Sequence, residues 1–524
     1  VGQRSWWGWG DEERAISGVE RDELGAMVQK RLGVTPPGPS QPPSLDALTL
    51  RPSRVAAPAA LASLLTDAIR ERAAHTHGKS FRDVVRNLRG VLENPPDLVA
   101  TPGDESDVVA VLDWASAERI AVIPYGGGSS VVGGVEPNVG NGYRGAVSLD
   151  LSRIDRVLDV DATSLAARIQ AGALGPSIEE QLAPHGVTLR HQPQSFEFST
   201  LGGWIATRSA GHYATLQTRI DDRVESLRVL TPRGIVETRR LPASGAGPDP
   251  NALWIGSEGV LGVITEAWVR VVRRPVHRSS ATVQFVDFGH GCDAVRALAQ
   301  AELYPANCRL LDPFEALING VSQGSAVMFL SFESADHTVE PSFDRAIELV
   351  RDAGGTVATE HAAGEWRRAF VRAPYVRDAL ITLGMIVETF ESATTWDRLP
   401  ALLDAVHESG TNALDRLGIR GLITCRITHG YSDGAAPYWT VIGFGDPNSQ
   451  VEQWDEVKSA VSDVIATHGA TITHHHAVGR DHRPWYDGER PALFADSMRA
   501  AKNVLDPAGI LNPGVLIDAV PASG

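Results

Sequence analysis

Pro124-Tyr125-Gly126-Gly127-Gly128-Ser129-Ser130-Val131-Val132-Gly133-Gly134 directly follows the apolar run Ile120-Ala121-Val122-Ile123. The run reads as a short buried strand. Glycines after it let the backbone take positive φ and come close to a ligand, so that successive N–H groups face an anion. No Gly-Lys-Ser/Thr follows, so this is not a nucleotide-binding P-loop, and no helical run begins there, as a dinucleotide fingerprint requires. Upstream, Thr101-Pro102-Gly103-Asp104 looks like a helix start, and Val108, Val109, Val111, Leu112 and Ala115 continue at helical period. An α/β unit therefore begins near Asp97.

Two further glycine-bearing segments border predicted strands. One is Ser199-Thr200-Leu201-Gly202-Gly203-Trp204-Ile205-Ala206-Thr207-Arg208-Ser209-Ala210-Gly211, and the other is Gly256-Ser257-Glu258-Gly259-Val260-Leu261-Gly262-Val263-Ile264-Thr265. In combination the three segments resemble the FAD-binding domain of the vanillyl-alcohol oxidase/p-cresol methylhydroxylase flavoproteins. The closing Asp506-Pro507-Ala508-Gly509-Ile510-Leu511-Asn512-Pro513-Gly514 is similar to the end of that family. The resemblance implies an α+β fold: a two-subdomain α/β FAD-binding domain and an α+β cap with a mixed or antiparallel sheet. It implies that Pro124, Gly126, Gly127, Gly128, Ser129, Ser130, Gly133 and Gly134 bind the FAD pyrophosphate. Ser199, Thr200, Gly202, Gly203, Trp204, Thr207, Arg208, Ser209 and Gly211, with Glu258, Gly259, Gly262, Val263 and Ile264, would line the ribityl chain and isoalloxazine. Some relatives bind flavin covalently through histidine or cysteine. The first glycine loop has neither, so non-covalent FAD is expected.

Longer stretches resemble the alkyldihydroxyacetonephosphate synthase branch: Gly8-Trp9-Gly10, Phe196-Glu197-Phe198-Ser199-Thr200, Tyr375-Val376-Arg377-Asp378, Glu388-Thr389-Phe390-Glu391, Cys425-Arg426-Ile427-Thr428 and His474-His475-His476-Ala477-Val478-Gly479. That branch exchanges the acyl chain of acyl-dihydroxyacetone phosphate for a fatty alcohol without net redox change, through an adduct at flavin N5. Such an exchange needs proton movement and cations for the phosphate. His474, His475 and His476 are candidates for a proton relay, with His476 favoured, since histidine titrates near neutral pH. Alternation along an extended chain lets at most two of them serve one site. No nearby carboxylate or further histidine completes a metal set at a recognisable spacing, so no metal is expected. The resemblance gives Arg377 the role of an anion-holding fork and Tyr438 that of a donor to a substrate oxygen. The family's active-site phenylalanine has no counterpart in register: Arg309-Leu310-Leu311-Asp312 is followed by Pro313-Phe314-Glu315-Ala316, and the role is not carried to Phe314.

The rival is a flavin-dependent 2-hydroxyacid dehydrogenase or other alcohol oxidoreductase of the same fold. Those dehydrogenases carry a His-x-x-Gly-Asp-Gly-Asn-x-His-like metal motif. The comparable stretch, Thr428-His429-Gly430-Tyr431-Ser432-Asp433-Gly434-Ala435-Ala436-Pro437-Tyr438, lacks the second histidine.

The 524 residues exceed one core, so several domains are expected. The reading gives 1–94 as a helical N-terminal region with a proline-rich linker at 34–43, 95–277 as the FAD domain, 278–470 as the cap, and 471–524 as a segment returning to the active site. The formal net charge of −16 argues against nucleic acid as a partner. Cys292, Cys308 and Cys425 match no zinc or redox spacing, and reduced thiols suit a cytoplasmic protein. The abundance of Ala, Gly and Arg points to a GC-rich bacterial genome. No apolar run spans a membrane; relatives of the branch suggest a homodimer and peripheral membrane contact.

Overall fold

Ile120–Tyr125 is buried almost throughout, as an unbroken apolar strand in a covered parallel sheet should be. It is β3 of a four-stranded sheet whose other members are β1 (Leu65–Thr66), β2 (Leu98–Ala100) and β4 (Gly145–Asp150), in the order β1-β2-β4-β3. Strands β2, β4 and β3 run parallel, and β1 is antiparallel. The helix Glu105–Glu118 makes the crossover. Asp104 caps it by accepting from the Asp107 N–H, and it stops where Arg119 turns to φ 51°. The computed structural model describes residues 3–213, 215–216, 218–358 and 363–518.

A second, wholly antiparallel sheet packs beside the first. Its strands are β5 (Val157–Asp161), β6 (Ala166–Gln170), β8 (Val224–Thr231), β9 (Gly234–Glu237) and β10 (Val263–Arg270), in the order β5-β6-β10-β8-β9. A short ribbon of β7 (Val187–Thr188) and β11 (Val272–Arg273) leads out of it. The third sheet holds eight strands: β12 (His277–Phe285), β13 (Asn307–Leu311), β14 (Ala326–Ser334), β15 (Thr356–Val357), β16 (Met385–Glu391), β17 (Thr394–Thr395), β18 (Arg420–Gly430) and β19 (Gly434–Phe444). Its order is β15-β12-β14-β13-β18-β19-β16, with β17 also on β19, and every pair is antiparallel. Phe390, Ile423, Cys425, Trp439 and Val441 on one face are buried with residues of the helices Leu399–Arg416 and Gln450–Thr467. By strand alternation the residues between them face the other way, toward the glycine loops.

The two chain ends tie these sheets together. The expected boundary between 94 and 95 runs through the first sheet, because β1 precedes it and pairs with β2. A two-residue strand is too short to leave a periodic pattern. Arg51 and Arg54 from that segment both grip Asp97. The proline-rich stretch is a non-helical strap, and the Ser40 N–H donates to the Thr382 carbonyl at 2.8 Å. At the other end, Leu511 bridges Val122 in parallel on β3. Lys502 then donates to Asp506 and to the Val260 and Leu511 carbonyls.

Candidate active site

One cavity of ≈ 710 Å³ runs between the glycine segments and the inner face of the third sheet. The backbone amides of Gly127 through Val131 donate to no protein acceptor among the described residues. Unpaired donors in consecutive positions are uncommon and suit a bound anion such as a pyrophosphate. The loop is held tightly from behind. A Cβ at Gly127 would overlap the Phe198 carbonyl, and one at Gly126 would overlap the Thr200 hydroxyl, so the Phe196–Thr200 turn fits only against glycine. Ser199 then accepts from the Trp204 indole at 2.6 Å, and Thr200 caps the helix Leu201–Thr207. Opposite, Asn512 donates to the Gly134 and Glu258 carbonyls at 3.1 and 2.7 Å, joining the first and third glycine segments to the end of the chain.

Of the residues expected at the cofactor, Pro124, Gly126, Gly127, Gly128, Ser129, Ser130, Gly134, Ser199, Thr200, Gly202, Gly203, Trp204, Thr207, Ser209, Glu258, Gly259, Gly262, Val263 and Ile264 line the cavity. Gly133, Arg208 and Gly211 do not line it. Gly133 turns the loop at φ +68° toward Asp481, Arg208 points outward to Asp221, and the Gly211 carbonyl accepts from His429 at 3.0 Å. Glu258 accepts from the Val478 and Gly479 amides at 2.9 and 2.8 Å. Burial outweighs those two bonds and pushes its carboxyl up to about 7.

The cap's face of the cavity is ordered in rows. Register places Arg426 opposite Tyr438 and Tyr438 opposite Glu391; two residues on, Thr424 opposite Thr440 and Thr440 opposite Thr389; two further, Leu422 opposite Ile442 and Ile442 opposite Val387. Successive rows are roughly 7 Å apart along the strands. The floor therefore grades from charged through hydroxylic to aliphatic. Val28, Val376 and Leu380 pack with Val387 and Ile442 at the aliphatic end, and Met27 and Ile318 also line the cavity. Phe314 is 57 % exposed and does not line the cavity; Ile318, one turn further along the same helix, does.

At the charged end the histidine run forms a turn around Glu391. This carboxylate is buried and accepts from the amides of His474 at 2.6 Å, His475 at 3.0 Å and His476 at 2.8 Å, and from the Thr473 hydroxyl at 2.5 Å. Burial alone would raise it, but His475 and His476 hold it well below the usual carboxylate range. Glu391, His474 and His475 have ligand atoms within 4.8 Å of one another, so a carboxylate does join the histidines in space, contrary to the spacing argument. Both of its oxygens are already occupied by N–H and O–H donors, which disfavours metal ligation. His475 and His476 line the cavity, with their rings 6.1 and 5.5 Å from Tyr438. Burial drives the His476 imidazole down to about 3, so it is a neutral acceptor. His474 does not line the cavity; its Nε2 meets the Tyr431 hydroxyl at 2.7 Å. Burial raises the Tyr438 phenol, which keeps its proton, and the Arg426 guanidinium lies 4.1 Å over its ring.

Arg377 also lines the cavity. Asp378 accepts from its guanidinium at 2.9 and 3.2 Å and, through the other oxygen, from the Trp9 amide at 2.6 Å. A Cβ at Gly10 would overlap the Tyr375 hydroxyl. The Gly8-Trp9-Gly10 hook thus braces the helix that presents Arg377. The sequence reading gave no role to Arg426, Thr389 or Glu391, although each sits inside a quoted motif. Alternation along β16 and β18 is the signal that sets them on one face.

Two family models match the chain: "FAD binding domain" over residues 96–239 and "FAD linked oxidases, C-terminal domain" over residues 274–516. An alkyldihydroxyacetonephosphate synthase of Dictyostelium discoideum is 33 % identical over 86 % of this chain and 78 % of its own length. One of Trypanosoma brucei brucei is 30 % identical over the same shares. A solved alkyldihydroxyacetonephosphate synthase structure superposes with a TM-score of 0.84 at 28 % identity, covering 98 % of each chain.

Proposed function

We propose that this chain, which belongs to the alkyldihydroxyacetonephosphate synthase family, is an FAD-dependent enzyme that exchanges the acyl chain of acyl-dihydroxyacetone phosphate for a fatty alcohol. The graded floor of the cavity carries this reading. A substrate with an anionic head and a long hydrocarbon tail matches rows that pass from Arg426 and Tyr438 through Thr424, Thr440 and Thr389 to Leu422, Ile442 and Val387. A small hydroxyacid would leave the aliphatic end without a partner.

The FAD pyrophosphate fits the free amides of Gly127 through Val131, and the 199–209 and 258–264 segments would flank the rest of the cofactor. When bound, FAD supplies an electron-accepting ring against which the dihydroxyacetone phosphate carbon is held. The glycine loop contains no cysteine or histidine, which supports non-covalent attachment. Arg377 holds the phosphate or the leaving carboxylate, with Asp378 and the Trp9 hook fixing its fork. Tyr438 donates to a substrate oxygen. His476 accepts a proton, and the ionised Glu391 beside it stabilises the resulting imidazolium.

Arg31 and Met27, the latter 38 % exposed, also line the cavity, on the helix that carries Val28. An apolar rim with a cation supports peripheral contact with a lipid surface as the source of both substrates. No described helix is long and apolar enough to cross a membrane. We infer a homodimer from the resemblance to the family, and sedimentation checks it.

The test supplies FAD-loaded protein with a long-chain acyl-dihydroxyacetone phosphate and a long-chain alcohol. Ether product with the flavin absorbance unbleached is expected. Flavin bleaching by an alcohol or hydroxyacid with no ether formed would instead support the oxidoreductase reading.

A further inference from the structure

Exchange of an acyl chain for an alcohol breaks the bond from carbon 1 to the acyl oxygen and forms one to the alcohol oxygen. It leaves a carboxylate and one proton, and no electrons are gained or lost. That proton has to leave from the charged end of the cavity, away from the rim where Met27 and Arg31 are exposed. The geometry points to an exit path that runs from the cavity through His475 and His474 to Tyr431, making Tyr431 a relay residue that acts through His474. This inference rests on the exchange reading above.

The hydrogen bonds are continuous. His475 lines the cavity, and its Nδ1 lies 2.9 Å from His474 Nδ1 and 3.2 Å from the Glu391 carboxylate, which holds the ring in place. His474 is 4 % exposed, and its second nitrogen, Nε2, lies 2.7 Å from the Tyr431 hydroxyl. An imidazole passes a proton by taking it on one nitrogen and releasing it from the other, and His474 has a partner on each. The His475 Nε2 makes no hydrogen bond to the described residues, which leaves it for the cavity. Three amides held by Glu391 fix the turn that sets the two rings in this order, and Arg219 pins the His474 carbonyl at 3.0 Å.

The outer end reaches the surface. Tyr431 is partly exposed, and Thr218, Arg219, Asp221 and Asp222 act on its hydroxyl; Asp222 is exposed. The neighbouring imidazole offers no second route. The His429 ring lies 5.0 Å from that of His474, but its Nε2 is bonded to the Gly211 carbonyl and its Nδ1 to the Thr428 hydroxyl. A proton entering His429 would have to break a buried bond to leave it.

Tyr431→Phe removes the hydroxyl and keeps the ring. In the full FAD-loaded chain, the ether-forming kcat should fall at least about tenfold in dilute buffer, with KM for both substrates little changed. Imidazole added to the medium should restore the rate as its concentration rises, because it replaces the missing relay. The His429→Asn variant should show no loss that imidazole restores. The native enzyme should show a solvent deuterium effect on kcat that imidazole reduces, a reading that does not depend on any variant folding. A Tyr431→Phe enzyme with unchanged kcat, or a loss that imidazole leaves in place, overturns the path, as does a native rate indifferent to deuterium. If the native chain makes no ether at all, the exchange reading fails instead, and the two failures are distinct.

Discussion

Glu391 shows how one buried carboxylate can organise a site without touching the substrate. Its oxygens accept from the amides of His474, His475 and His476 and from Thr473, so the turn cannot shift without stranding donors in the interior. Glutamine in its place would present an NH₂ group to amide donors on one side. Glu391→Gln should therefore destabilise the fold by about 3 kcal/mol, the usual cost of breaking a buried charged network, and should slow turnover by loosening both cavity histidines. Urea unfolding at neutral pH measures the first effect. An unfolding midpoint equal to that of the native chain would mean that the amides do not depend on the charge. The residue was hard to see in advance. Its partners lie more than eighty positions away, and a glutamate at the end of an apolar strand carries no local mark of burial. The glycines of the 124–134 loop were legible because backbone constraint is local: Gly128 and Gly133 do sit at positive φ.

At the scale of elements, the sheet of the cap sorts its two faces by strand alternation. Phe390, Trp439, Val441, Ile423 and Cys425 go to the helices, while Val387, Thr389, Ile442, Thr440, Leu422 and Thr424 go to the cavity. Each strand could be read from its own run of residues. The rows could not, because they depend on the register of β16 against the β18–β19 hairpin, which a long helical connection separates from it and only pairing fixes. The same reasoning covers Phe314. Pro313 opens a helix capped by Asp312, and that geometry turns the phenylalanine outward while Ile318 faces in. On the proposed exchange reading the third row starts the tail's path, so Ile442→Trp should shorten the alcohols and acyl chains the enzyme accepts. Long-chain substrates should lose at least about tenfold in kcat/KM, and short ones should be largely spared, since a ring of that size fills space the tail would use. Competition between chain lengths in one reaction mixture reads this directly; equal losses for all lengths would place the tail elsewhere.

Across the whole molecule, both chain ends act as fasteners rather than appendages. Asn512 joins two glycine segments, the Trp9 amide reaches Asp378 beside Arg377, and Asp97 anchors the N-terminal region to the first sheet. Asp97 is fully buried and accepts from Arg51, from the Arg54 guanidinium and amide, and from the Ala146 amide. Burial pushes its carboxyl up, but the bonds from Arg54 and Arg51 prevail and hold it well below the usual range. A carboxyl whose pKa is lowered on folding contributes its full stability above the unfolded value near ~4 and loses it as the pH falls toward the folded one. Asp97→Asn keeps the shape but removes the charge that both arginines need. The variant should be less stable by about 3 kcal/mol at pH 7. The gap from the native chain should hold down to about pH 5 and then narrow as the Asp97 carboxyl of the unfolded chain takes up a proton that the native carboxyl still refuses. Urea unfolding of both proteins across that range tests the argument. A gap near zero at pH 7 would show that Asp97 contributes through shape alone, and that the N-terminal region is fastened to the sheet by packing rather than by charge.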